Sequence, residues 1–246
     1  MGLGGSCTND FGCGAAAACG IEFYNDKGIS FIPTGGTLKD VKKIDFSKKN
    51  QAFNDVEIVT MCDIDNPPYG KSGASYVFAP QKGADEKIVL ALDDGVKSLC
   101  DLLKKDYEMN LDALPGGGAA GAMGAGMVAF FNSQLKMGIE TVLETVKFNE
   151  IIKDADVVFT GEGKIDSQSL RGKVVIGVAR EAKKQGVPVI SIVGGADGDI
   201  SKAYDLGVTA VFTINRLPQD FSISKNYSKE NLSFAFDNLL RALKIN

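Results

Sequence analysis

The chain has 246 residues, 44% of them apolar, a formal net charge of −4 and no histidine. Such a length and apolar content supply a real core for one large or two small domains and exclude a disordered chain. The mildly acidic balance excludes a basic field for nucleic acid or anionic membrane, and the lack of imidazole excludes a Ser-His-Asp triad and histidine-ligated metal.

Residues 2–20 form a glycine- and alanine-rich opening that is polar at Ser6, Thr8, Asn9 and Asp10, and 15–19 reads as a helix of small side chains. Segments 21–24 and 28–31 flank Asn25-Asp26-Lys27 as a β-hairpin with Gly28 in the left-handed position. A short helix is expected over 37–43. Residues 56–61 read as a strand ending in Cys62-Asp63-Ile64-Asp65-Asn66, and 75–78 as another strand. From 86 to 105, Val89, Leu92, Val96, Leu99 and Leu103 mark one face of an amphipathic helix. A second glycine tract, 114–126, leads into a helix reaching about Leu135. Residues 139–152 read as a further helix with Val142, Leu143, Val146 and Ile151 inward.

In the second half, the apolar run 157–159 is a strand broken by Thr160-Gly161-Glu162-Gly163-Lys164-Ile165-Asp166-Ser167. Val175, Val178, Ala179 and Ala182 then recur at helical spacing over 174–184, Gly186 suits the C′ position, and 187–193 is the next strand. This is a βαβ unit, whose ligands sit at the carboxyl ends of the strands. A short helix over 199–206 stopped by Gly207, a third strand over 208–214 and a polar loop over 215–227 follow. Ser228 is the expected N-cap of a last helix, with Leu232, Ala235, Leu239 and Leu243 facing in.

These signals describe an α/β protein of two domains with a cleft between them. Residues 1–150 form a mixed, glycine-rich α+β domain, and 151–246 a Rossmann-like parallel sheet. Three strands are few for a sheet of that class, so the second domain is expected to be incomplete.

The five cysteines (Cys7, Cys13, Cys19, Cys62, Cys100) contain no C-x-x-C pair and read as small buried hydrophobes in a reducing cytoplasm. No signal peptide is evident, and the most apolar long stretch, 116–131, is shorter than a membrane span.

Three glycine tracts, 2–14, 116–126 and 161–163, offer backbone N–H groups for phosphate; the glycines of the first two equally suit close helix packing. Lys82, Lys164, Arg171 and Lys173 are cations suited to phosphate or carboxylate. Asp63, Asp65, Glu162 and Asp166 are candidates to hold magnesium or accept a proton. Glu162 and Asp166 also fit an ordinary helix cap, and Asp63 and Asp65 a solvated turn. Residues 65–72, DNPPYGKS, imitate a phosphate loop, but Asp65 replaces its first glycine and two prolines remove N–H groups. Gly161-Glu162-Gly163 starts a dinucleotide fingerprint, but Asp166 stands where the third glycine belongs, which argues against NAD.

The loop TGEGKIDSQSLRGK (160–173) closely resembles the signature of the ATP-dependent glycerate kinase family. The likeness extends to GLGGSCTNDFGCG (2–14), CDIDNPPYGKSGASYVFAPQKGA (62–84) and LPGGGAAGAMGAG (114–126), in the family's order along essentially the whole chain. The family carries a further leading segment with the first strand of the sheet, whereas this chain opens directly on the glycine loop. The resemblance implies transfer of the ATP γ-phosphoryl group to glycerate with Mg²⁺. It implies Glu162, Asp166 and Asp63 as catalytic carboxylates, with Asp63 and Asp166 on the metal. It also implies Gly4, Gly5, Ser6, Asn9, Asp10, Asn66, Lys82, Gly161, Gly163, Lys164, Ser167, Arg171 and Lys173 as substrate or ATP contacts in the cleft. A homo-oligomer is compatible with all of this. The alternatives are a shortened, inactive chain, or a nucleotide- or organic acid-binding module that needs a partner.

Overall fold

The computed structural model describes residues 1–166, 169–171 and 173–244. They resolve into two compact units, Met1–Met137 and Gly138–Asn246. The division expected near Glu150 falls inside the second.

In the first unit, α1 (Cys13–Ala18) follows the glycine opening, and β1 (Glu22–Tyr24) pairs with β2 (Ser30–Phe31) in the expected hairpin, Gly28 lying at φ 71°. A 3-10 turn over Gly35–Asp40 replaces the expected helix. Thr34 and Thr37 cap it reciprocally, and the chain straightens early enough for β3 (Lys43–Asp45) to pair antiparallel with β1. β4 (Val59–Met61) pairs in parallel with β5 (Gln134–Lys136), and Gly2 bridges to Met61. Thr60 and Ser133 join the two strands from within by a buried 2.7 Å hydroxyl pair.

Residues expected as a strand after Gly73 are instead α2 (Ala74–Phe78). The amides of Val77 and Ala79 reach back to the carbonyls of Gly73 and Ser75, overriding the strand preference of Tyr76 and Val77, which stay exposed. α3 (Glu86–Tyr107) is capped by Asp85, which accepts from the Ile88 amide, and buries Val89, Val96, Leu99 and Leu103 as their spacing predicts.

α4 (Ala119–Phe131) stops at Asn132, which is left-handed, so Leu135 belongs to β5 and not to the helix. Near its start Ala120, Gly121 and Ala122 are all left-handed, at φ 52°, 71° and 66°. A side chain on Gly121 or Gly126 would press into the carbonyl of Thr8 or Phe11. The second glycine tract therefore serves close packing, and it fixes where the opening loop lies. Phe11 and Phe23 stack edge-on against Phe130 at 5.9 and 5.6 Å, at the centre of this unit's core.

The second unit opens with α5 (Gly138–Thr145) and α6 (Phe148–Ile151), which the spacing predicts as one helix. Lys147 at φ 54° breaks it, turning Val142, Val146 and Ile151 outward while Leu143 and Ile152 are buried. β6 (Val158–Glu162), α7 (Val174–Lys184) and β7 (Val189–Val193) form the expected βαβ unit. α8 (Ser201–Asp205) and β8 (Val208–Thr213) extend it to a parallel sheet of order β6-β7-β8. The β7 side chains alternate: Val189 and Val193 join the core beneath α7, and Ile190 and Ile192 the opposite one, with Phe159, Phe236 and Leu239.

The stretch expected as a polar loop holds α9 (Phe221–Ser224) and a 3-10 turn, Lys225–Tyr227. Ser228 is the first residue of α10 (Ser228–Leu243) rather than its cap; its hydroxyl donates to the Lys225 carbonyl at 2.9 Å. Leu239 is buried, whereas Leu232 and Leu243 are exposed, and Phe236 packs edge-on against Phe159 at 4.9 Å. Among the described residues no helix is long and apolar enough to cross a membrane. Of the cysteines, Cys13, Cys62 and Cys100 are buried as expected and Cys19 half-buried, but Cys7 is exposed, because it rides on the glycine loop.

Candidate functional site

The βαβ unit brings two loops side by side at the carboxyl ends of β6 and β7. β6 runs through Glu162, so Thr160, Gly161 and Glu162 are strand residues and the turn begins at Gly163. Parallel pairing sets Gly161 against Ile192 and Glu162 against Val193. Beyond the strands, Ile165 continues the pairing with Ala196, its amide donating to the Gly195 carbonyl at 2.9 Å. Ile165 is fully buried and anchors the turn, which leaves Lys164 and Asp166 on either side.

Lys164 reaches Asp197, in the loop after β7, at 2.6 Å, and lies 4.0 Å from Asp166. The hydrogen bond from Lys164 holds the Asp197 carboxyl below its ordinary range, and Asp197 pushes the ammonium up. Asp166 accepts the Ser169 amide at 3.2 Å, while the Ser169 hydroxyl donates to the Lys164 carbonyl at 3.3 Å. The bond between Asp166 and Ser169 is local to the turn; α7 itself begins after Lys173, which makes no side-chain cap bond. Ser167 and the side chain of Arg171 lie outside the described residues. Lys173 is exposed at the start of α7, its carbonyl accepting from Gly177 at 2.8 Å.

Glu162 differs from Asp166. Its Oε1 is buried and has no hydrogen-bond partner. The residue lines a cavity of about 710 Å³ that Phe159, Ile192, Ile214, Phe221, Leu232 and Phe236 make largely apolar. A buried carboxylate oxygen without a donor is costly, and at the ligand end of a parallel sheet it marks a place for a substrate hydroxyl, an amine or a cation. Gly161 and Gly194 are needed there because a side chain on either would meet the Ile192 or Gly163 carbonyl, whereas Gly163 has open space. Asn215, after β8, donates its side-chain amide to the Gly194 carbonyl at 2.7 Å.

The other sequence-predicted residues lie in the first unit. Gly4 and Gly5 stand in open space, Gly5 at φ 61°. Lys82 donates to the Ser6 hydroxyl at 2.8 Å and to the Thr8 carbonyl at 2.7 Å, and burial pushes its ammonium down from the ordinary value. Asn9 is 8% exposed; its Nδ2 donates to Ser75 Oγ at 3.1 Å and its Oδ1 has no partner. Asp10 is taken up locally, each carboxylate oxygen accepting an amide, from Gly12 and Gly14, at the head of α1. Asp63 and Asp65 follow β4 in exposed positions. Asn66 braces its own loop by donating to the Ser72 carbonyl at 2.7 Å. In the phosphate-loop look-alike the Gly70 amide donates to Asp93, and just beyond it the Gly73 amide donates to the Gly70 carbonyl, so those amides face the protein itself.

Sequence reasoning missed Asp197, Asn215 and Ser75. Asp197 had a signal: parallel neighbours bring the loops at their carboxyl ends together, and Asp197 lies in the loop after the second strand. Among the described residues no three carboxylates or cysteines cluster closely enough to hold a metal ion.

The glycerate kinase family model matches residues 1–244. A glycerate kinase of Bacillus cereus is 40% identical over 245 residues, which are 100% of this chain and 64% of that protein. A glycerate 2-kinase of Escherichia coli is 40% identical over 242 residues, 98% of this chain and 62% of that one. A crystal structure from Salmonella typhimurium LT2, described provisionally as glycerate kinase 2, superposes with a TM-score of 0.82 at 37% identity, covering 99% of this chain and 63% of the other. The chain therefore spans somewhat less than two thirds of the length of these relatives.

Proposed function

This chain belongs to the glycerate kinase family, and from that membership we propose that it takes part in the phosphorylation of glycerate by ATP. In that reaction a glycerate hydroxyl oxygen bonds to the γ-phosphorus as the bond to the bridging β,γ-oxygen breaks. ADP leaves, and the hydroxyl proton passes to a carboxylate. The observation that carries the reading is Glu162 Oε1, a buried carboxylate oxygen without a hydrogen-bond partner on a half-buried residue that lines a cavity at the carboxyl ends of a parallel sheet. With no histidine in the chain, a carboxylate is the natural proton acceptor. Asp166 and Asp63 are the other two proposed for the task, but Asp166 has an oxygen engaged by Ser169, so Glu162 ranks first.

Magnesium in such sites is held by one or two carboxylates together with substrate phosphates, a demand smaller than the three-residue cluster that the described residues lack. Asp63 and Asp166 are the carboxylates proposed to meet that smaller demand, and the bound ion would neutralise charge on the phosphoryl oxygens. Gly161, Gly163, Lys164 and Lys173 are proposed to face the phosphates, and Gly4, Gly5, Ser6, Asn9 and Asn66 the substrates. The name of the Escherichia coli relative supports the 2-hydroxyl as acceptor. Five free thiols support a reducing cytoplasm.

The test is ADP formation with glycerate and ATP, followed by phosphorus NMR of the product. The expected result is glycerate-dependent ADP and 2-phosphoglycerate. A folded chain that melts higher with ATP yet turns over no glycerate would identify a binding module instead and end this reading.

A further inference from the structure

Arg216, just past β8, holds a fixed guanidinium that has no counter-charge. Its Nε donates to Asn231 Oδ1 at 2.8 Å, and its Cζ lies 5.0 Å from the centre of the Phe234 ring. One contact holds the planar group by its edge and the other by its face, and both partners are neutral. Among the described residues no carboxylate closes an ion pair with Arg216, and its Nη groups donate to none, which leaves the paired N–H donors of the fork unspent. Asn231 is only 7% exposed; its Oδ1 serves Arg216, while its Nδ2 donates to no described residue. A deeply buried amide left half satisfied is costly unless a ligand meets it.

Both residues line one cavity of about 260 Å³, together with Asn215, Gln219, Ser224 and Tyr227. The lining offers one cation, side-chain amides and hydroxyls, and no carboxylate. Sites that enclose a nucleotide-sized ligand run to roughly 300–1,000 Å³, so this one suits a small anion. It shares no lining residue with the Glu162 cavity, although Asn215 ties it to the carboxyl end of β7 through the Gly194 carbonyl. We infer that this cavity binds a small free oxyanion, a phosphate or a carboxylate, between the Arg216 fork and Asn231 Nδ2. Arg216 is exposed, so the anion enters directly from solvent. The inference does not rest on the kinase reading.

The test is an NMR titration of the nitrogen-15-labelled chain with inorganic phosphate, with malonate and, at matched ionic strength, with sodium chloride. The Arg216 Nε–H and the Asn231 side-chain amide signals should move saturably with phosphate or malonate and not with chloride. Movement with phosphate alone assigns a tetrahedral anion, with malonate alone a planar one, and with both a site open to either. Arg216→Gln should raise the Kd roughly 10- to 100-fold, the range for a charge-assisted hydrogen bond, and Arg216→Lys should recover part of the loss. If neither anion moves the signals saturably, or chloride moves them equally, the subsite is overturned.

Asn231→Asp supplies the missing charge from within. The new carboxylate keeps the size of the amide and pairs with Arg216, so the fold should stand while binding of phosphate and malonate is lost. A folded Asn231→Asp that binds either anion as wild type does overturns the proposal. ATP that moves the same two signals at lower concentration than phosphate assigns Arg216 to the nucleotide and ends the case for a separate small-anion site. None of these readouts needs turnover. A chain that binds phosphate here and phosphorylates no glycerate keeps the subsite and loses the kinase reading, and the reverse outcome does the opposite.

Discussion

Lys164 and Asp197 meet at 2.6 Å and so tie the turn after β6 to the loop after β7, across the bridge made by Ile165 and Ala196. Both side chains are more than half exposed, so the pair adds little to global stability; its effect is local. In Asp197→Asn the thermal midpoint should move by no more than about 2 °C, while the amides of Ile165 and Asp197 exchange faster than in wild type near neutral pH. The Asp197 carboxyl is lowered in the folded chain. The pair's contribution is therefore present above the unfolded value, about 3.9, and is lost as pH falls through the folded one. As pH falls below the folded value of Asp197 the exchange difference between variant and wild type should shrink toward zero, and a difference that persists once the carboxyl is protonated would show that the pair is not its source.

Glu162 and Asp166 should separate under conservative substitution. Asp166→Asn weakens the acceptor for the Ser169 amide and should cost about 0.5–2 kcal/mol of stability, as caps do. Glu162→Gln disturbs no internal hydrogen bond at Oε1, so the fold should hold while turnover drops about 10²- to 10⁴-fold. Denaturant melts and initial rates on the two variants decide it. A Glu162→Gln enzyme of near wild-type rate removes Glu162 from the proton transfer.

Alanine at Gly161 and at Gly163 should have opposite effects. At Gly161 the new methyl falls on the Ile192 carbonyl of the neighbouring strand, a backbone atom that cannot swing aside, and the loss should be about 1–3 kcal/mol. At Gly163 it meets nothing within 4 Å, so thermal stability should stay level or rise slightly. If phosphate approaches the turn, Gly163→Ala should still lower kcat/KM. Unchanged kinetics would move the phosphate away from Gly163.

Tyr69 offers a spectroscopic check on the first unit. Burial, assisted by the Asp112 carboxylate, pushes its phenol up to about 12. Because the folded value lies above the unfolded one, near 10, the stabilisation from keeping the phenol neutral is complete below pH ~10 and is lost as pH rises toward ~12. Ultraviolet difference titration of wild type against Tyr69→Phe should show one tyrosine ionising late. A midpoint near that of free tyrosine would mean the ring is open to water.

The βαβ unit was legible because its apolar runs need burial on both faces and Gly186, at φ 72°, marks the helix end. Glu162 was expected in a loop after a strand ending at 159, whereas the strand runs on through it. Misreadings came where local chemistry gives no warning. Lys147 breaks a helix with a left-handed backbone that no glycine announces, and Tyr76-Val77-Phe78 carry strand preferences in a helical turn. The clamp on Lys82 lay beyond local reading too, since Ser6 is 76 positions away and only the folded chain brings it near. Family likeness pointed to the lysine, but not to what it holds. Asp166 was open to two readings, chemistry or capping, and its hydrogen bond with Ser169 is local to the turn before α7.

Ala120, Gly121 and Ala122 make three successive left-handed steps, and Gly121 and Gly126 press onto the carbonyls of Thr8 and Phe11. Distant stretches of sequence are thereby joined into one evolutionary unit. A bulkier residue at either glycine cannot be accommodated by its own helix and must be answered by a shift of the loop carrying Ser6 and Asn9. Drift along this helix should accordingly register as altered ligand preference before it registers as misfolding. Directed libraries that vary residues 119–126 alone should return few functional clones, and libraries that vary them jointly with 6–11 should return more.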